Sequence, residues 1–74
     1  NDILAILAQN VKYYRSRSAL TQEDLAKMAG INRSYLAGIE RGQRNTSVRT
    51  IEKLAIALGV TPADLLKPLS FDER

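Results

Sequence analysis

The stretch from Thr21 to Arg41 restricts this chain more than any other, because it sets out two short helical segments with a three-residue turn between them. Thr21 opens the run Thr-Gln-Glu-Asp-Leu-Ala. Its hydroxyl can accept from the amide three residues on, and Asp24 can reach back to the cap, so a helix is predicted from Gln22 to Ala29. Gly30 follows, free to take the left-handed conformation that ends a helix and turns the chain sharply. Ile31 is apolar and Asn32 is a good N-cap, so the next helix begins at Arg33, carries Tyr35, Leu36 and Ile39, and runs to Arg41 before Gly42 stops it. This spacing is that of a helical pair that presents its second member to a DNA groove, but a helical hairpin inside any small bundle can show it too. Residue identities have to separate the two.

The remaining segments are also helical. Leu4, Leu7, Val11 and Tyr14 fall at helical spacing and Ala8 widens their stripe, which predicts a first helix from about Asp2 to Arg17, with Asp2 suited to the positive end of the dipole. Residues 42–46 are polar and basic and read as a loop, and Thr46 or Ser47 can cap a fourth helix that runs through Leu58 and buries Val48, Ile51, Leu54, Ala55 and Leu58. Thr61-Pro62-Ala63-Asp64 pairs a cap residue with proline at the first helical position and opens a short fifth helix, which Pro68 ends. No segment alternates with period two. The fold class is therefore all-α, five helices on short connections, in one domain over 1–74.

Composition removes most other functions. With 45% hydrophobic and 26% charged residues, the chain is too apolar for a disordered segment. It contains no cysteine and no histidine, which excludes disulfides, zinc sites and any mechanism built on imidazole or thiolate. No cluster of serine, lysine and carboxylates replaces them, so neither an enzyme, nor a metal, nor a cofactor is expected. The longest apolar run, Ile3 to Ala8, is far shorter than the roughly 20 residues a membrane span needs, and it lacks the basic flank of a signal peptide. A cytoplasmic protein with no membrane partner is expected, and no pocket for a small-molecule effector is evident. The absence of an initiating methionine leaves room for residues ahead of Asn1. At 74 residues, folding buries only about 60% of the surface an unfolded chain exposes, and a dimer would add stability.

The net charge of +3 and pI near 9.6 are modest, but the charge is unevenly placed. Arg33, Arg41, Arg44 and Arg49 face Glu40 alone over 33–49, and Lys12, Arg15 and Arg17 sit in a stretch with no acid. A solvated basic face and a surface for anions both fit this. Once Leu36 and Ile39 turn inward, Arg33, Ser34, Ala37 and Gly38 remain outside on the third helix. That face is small except at its start, so its backbone could lie deep in a major groove about 12 Å wide with Arg33 projecting ahead. Arg33 can pair bidentately with O6 and N7 of guanine, and Ser34 can donate to a base edge or a phosphate. Gln22 stands at a helix start, where free amides favour phosphate. Tyr35 could give its hydroxyl to a phosphate or simply pack half-buried. Arg44, Asn45 and the amides near Ser47 make a second clamp, from which Arg44 extends far enough to reach a base.

The run from Leu20 to Gly30, the words Asn32-Arg-Ser-Tyr-Leu-Ala-Gly-Ile-Glu-Arg-Gly, Arg44-Asn45 and Ile51-Glu-Lys-Leu-Ala-Ile-Ala-Leu-Gly-Val together resemble the lambda-repressor-like helix-turn-helix family over nearly the whole chain. Within it they are most similar to the controller proteins of bacterial restriction-modification systems. The resemblance implies base reading by Arg33, Ser34 and Arg44 and phosphate contacts from Gln22, Asn32, Tyr35 and Asn45. Gly38 departs from members that carry glutamine there, which implies heavier reliance on Arg33 and Arg44. It further implies an ion pair between Arg15 and Glu40, with a structural role.

The C-terminal segment, with Val60, Leu65, Leu66, Leu69 and Phe71, is more apolar than a chain end needs; it can close the monomer core or form a self-complementary patch. The family implies the second, a homodimer through the fourth and fifth helices, about 48–71, that sets two recognition helices about 34 Å apart on a palindromic operator. The function expected is transcriptional regulation by operator occupancy, as repressor or activator. The rival reading is an antitoxin or a helical protein-interaction module in which DNA binding is secondary or lost.

Overall fold

The computed structural model describes residues 2–69. Five helices follow one another: α1 (Ile3–Arg17), α2 (Gln22–Ala29), α3 (Arg33–Glu40), α4 (Val48–Leu58) and α5 (Pro62–Leu66). No strand occurs among the described residues. α1 packs on α3 and α5, α2 packs on α3 and α4, and α4 closes on α5.

Each helix start carries its own cap. Asp2, Thr21, Asn32, Ser47 and Thr61 all hold extended backbone and accept a first-turn amide with a side-chain oxygen. At Thr21 and Thr61 the return bonds from the caps' own N–H groups to Asp24 and Asp64 complete capping boxes. These bonds, the backbone N–H of Thr21 and of Thr61 first and the threonine hydroxyls second, hold both carboxyls below their ordinary value of 3.8. Gly30 ends α2 at φ 69°, with the Ile31 N–H donating back to Ala26 at 2.9 Å. The corresponding position after α1 is Ala19, at φ 59°. There the Leu20 N–H bonds back to Arg15 at 3.2 Å, so the turn is made without the glycine that usually makes it.

Leu25, Leu36, Leu54, Ala55, Val11 and Leu65 are fully enclosed, drawn from all five helices. Burying a leucine of this kind contributes about 1.5–3 kcal/mol relative to exposure. Two apolar assignments change. Val48, expected inside, is 82% exposed, because it occupies the first position of α4 beside the cap, at the rim rather than over the core. Leu65, expected to face a dimer partner, is enclosed in the monomer between α5 and the other helices. Phe71 lies outside the described residues.

α5 ends at Leu66, two residues before Pro68. Lys67 is extended at φ −107° and ψ 146°, the conformation a following proline imposes. The freed carbonyls at this end are met from across the bundle: Asn10, fully buried on α1, donates from Nδ2 to Leu65 O at 2.7 Å and to Lys67 O at 2.8 Å. One side chain therefore ties the end of the fifth helix to the first.

Candidate nucleic-acid interface

The recognition candidate, α3, is held by an ionic knot at its C-terminal end. Glu40 is buried, and its carboxylate accepts from Arg15 Nε at 2.7 Å, Arg15 Nη2 at 3.0 Å and Gln22 Nε2 at 3.0 Å. Arg15 Nη1 also donates to the Leu20 carbonyl at 2.9 Å. Hydrogen bonding to Glu40 holds the Arg15 guanidinium proton above its ordinary affinity, outweighing the opposite effect of burial. α1, α2 and α3 thus meet on one carboxylate, α1 through the bidentate fork of Arg15 and α2 through the Gln22 amide. Gln22 takes part through its side chain, while its backbone N–H stays at the open start of α2.

At the other end of α3 the side chains are free. Arg33 and Ser34 are exposed at its first two positions, and among the described residues Arg33 has neither an ion pair nor a side-chain hydrogen bond. Asn32 is exposed but has committed its Oδ1 to the Ser34 amide at 2.7 Å, which leaves its Nδ2 outward. A lone guanidinium at a helix N-terminus is opposed by the dipole, and nothing among the described residues offsets it.

Tyr35 is half-buried, with its hydroxyl bonded to Thr46 Oγ1 at 2.6 Å. The Arg44 guanidinium lies over the Tyr35 ring, 5.4 Å from its centroid. Gly38, expected on the outer face, is buried: the stem of Arg44 lies across it. Ala37 is half-buried as well. The exposed part of the helix is consequently its start, Arg33 and Ser34, with Arg44 folded alongside. Asn45 is exposed in the loop, and Ser47 caps α4 by accepting from Thr50 N at 3.1 Å, next to the open amides of that helix start. Arg33, Ser34, Asn32, Tyr35 and Arg44 gather at α3 and the loop after it. Val60 and Leu69 are half-buried and Leu66 is exposed, and all belong to the α4–α5 end.

Sequence reasoning missed three members of the site: Thr46 as partner of Tyr35, Gln22 as a member of the ionic knot, and Gly38 as the bed of Arg44. A glycine inside a short helix was the one available signal, since it lowers helix propensity without stopping the helix.

A family model described as Helix-turn-helix matches residues 11–65. A hypothetical transcription factor of Neisseria meningitidis serogroup B is 40% identical over 67 residues, covering 90% of this chain and 63% of that protein. The crystal structure of a hypothetical transcription factor NHTF from Neisseria superposes with a TM-score of 0.88 at 40% identity, over 90% of this chain and 77% of that one. The restriction-modification controller protein C.AhdI of Aeromonas hydrophila is 45% identical with a TM-score of 0.81, over 84% of this chain and 94% of that one. SinR, a master regulator of biofilm formation solved in complex with DNA, is 35% identical with a TM-score of 0.79, over 82% and 98% of the two chains.

Proposed function

This chain belongs to the helix-turn-helix family, and from that premise we propose that it is a transcriptional regulator, not an enzyme, acting in the cytoplasm on a palindromic operator as a homodimer. It spans 63% of the Neisseria relative's length, so the activity is assigned to this DNA-binding domain. The observation that carries the reading is the pair Arg33 and Ser34, exposed at the start of a helix that α1 and α2 hold rigid. Arg33 pairs bidentately with guanine, Ser34 and Arg44 contact neighbouring base edges, and Gln22, Asn32, Tyr35, Asn45 and the Ser47 region hold the phosphates on either side. The Tyr35 hydroxyl reaches a phosphate while keeping Thr46 as its second partner. Likeness to C.AhdI favours a restriction-modification controller. No described helix is long and apolar enough to cross a membrane.

Dimerisation is assigned to the α4–α5 end through Val60, Leu66 and Leu69. Repeated selection from random duplexes tests the whole reading. The expected result is a two-fold symmetric site with guanine in each half. Arg33→Ala should reduce preference for that site by roughly 5- to 150-fold, while weak, salt-sensitive binding to random DNA survives. Selection of no common sequence, or full preference retained by Arg33→Ala, overturns it.

A further inference from the structure

Gly38 is the position at which the chain leaves a helical side chain out, and Arg44 is what fills the space. A Cβ built on Gly38 would meet Arg44 Cγ at 2.5 Å, too close for carbons not bonded to one another unless Arg44 shifts, with Cδ and Nε both at 3.4 Å. The two positions are joined through the backbone as well: the Gln43 N–H donates to the Gly38 carbonyl at 3.0 Å, so the chain enters Arg44 already tied to α3. Arg41 Nε donates to Gln43 Oε1 at 3.0 Å and steadies the same loop from its other side. Beyond the stem, the guanidinium lies over Tyr35, whose hydroxyl is fixed by Thr46. Stem, head and loop are thus each given a support.

From this geometry we infer that Gly38 is a positioning residue for specificity, a seat that holds the loop residue Arg44 against the recognition helix so that it is presented to DNA already aimed. A side chain at 38 and Arg44 in its seat exclude one another. The glycine therefore replaces a reader fixed to the helix by a reader that originates in the loop and is steadied by Tyr35. Ordering a long side chain before contact lowers the entropy lost on binding, which is how a seat of this kind strengthens discrimination. The inference rests on the reading of Arg44 as a base contact.

The test uses the full chain and four forms: wild type, Gly38→Ala, Arg44→Ala and the double variant. NMR reads the seat without DNA. In the wild type the Arg44 side-chain protons carry an upfield ring-current shift from Tyr35, and Gly38→Ala abolishes it while the rest of the spectrum stays folded. Competition binding on the selected operator and on single-base-pair variants of it reads the consequence. Arg44→Ala lowers preference roughly 5- to 150-fold at the base pairs it contacts. Gly38→Ala should lose preference at those same base pairs and no others, and the double variant should be no worse than Arg44→Ala, since both changes remove one contact. A ring-current shift that persists in Gly38→Ala overturns the seat. A lost shift with base preference intact overturns the role in specificity. If Arg44→Ala changes no preference at any base pair, base reading by Arg44 fails and takes this role with it, an outcome distinct from the other two because the wild-type shift then reports a seat without a reading function.

Discussion

Two residues show how a side chain's surroundings decide its worth. Arg33 has no partner among the described residues, and in the proposed complex its partner is DNA, so its removal is expected to leave the fold intact and act on recognition alone. Ala19 is the reverse case, a residue with no functional contact that carries backbone strain at φ 59°. The left-handed conformation costs an alanine roughly 1–2 kcal/mol. Glycine removes that strain but loses about 0.5–1 kcal/mol of chain entropy on folding. Ala19→Gly is therefore expected to raise stability by up to about 1 kcal/mol in urea unfolding, with operator binding unchanged. A destabilised variant would show that the methyl group at 19 contributes something the backbone angle does not reveal.

Among the elements, the connection of α1, α2 and α3 through Glu40 is the most exposed to mutation. Removing Glu40 strands Arg15 and the Gln22 amide in a largely buried site, and breaking such a pair costs about 3–5 kcal/mol. A small domain has about 5–15 kcal/mol in total. Glu40→Ala is thus expected to lower the melting temperature by roughly 12–40 °C, as circular dichroism on heating would show; a melting curve like the wild type's would mean that water replaces the pair without loss. The capping boxes give α2 and α5 a pH dependence. Both aspartates are held below 3.8 in the folded chain, so their stabilisation is complete above the unfolded value and disappears as pH falls through the lower folded one. Wild-type melting temperature should therefore drop on acidification below about pH 4, and the double change Asp24→Asn and Asp64→Asn should flatten that limb. An unaltered acid limb would remove these two carboxylates from the account.

For the whole molecule, the decisive question is what the α4–α5 end does. Asn10 fastens the end of α5 to α1, so Leu66 is displayed on a rigid support while its neighbour Leu65 points into the core. Since Leu66 is 37% exposed, Leu66→Glu should leave the monomer folded. It is expected to shift sedimentation from dimer to monomer and to weaken operator binding by about 10²- to 10⁴-fold, the factor lost when two half-sites are no longer linked. Dimers that persist, with operator affinity unchanged, would move the interface elsewhere on the surface.

Helix positions were readable from the chain because their signals are local. Thr21, Asn32 and Thr61 cap whatever helix follows them, and apolar spacing within α1, α3 and α4 sets which stripe turns inward, so all five helices followed from the sequence, and their ends only to within a residue or two. The open start of α3 at Arg33 and Ser34 was readable for the same reason, since exposure at a helix tip needs only the cap and the turn. What depended on segments distant in sequence was not. The choice between Leu65 and Leu66, the exposure of Val48 at the rim, the orphan carbonyls that made a buried Asn10 useful, and the meeting of Gly38 with Arg44 are all settled by where other segments lie. Such contacts are fixed by packing volume and by the demand that buried polar groups find partners, and those conditions exist only once the chain has closed on itself.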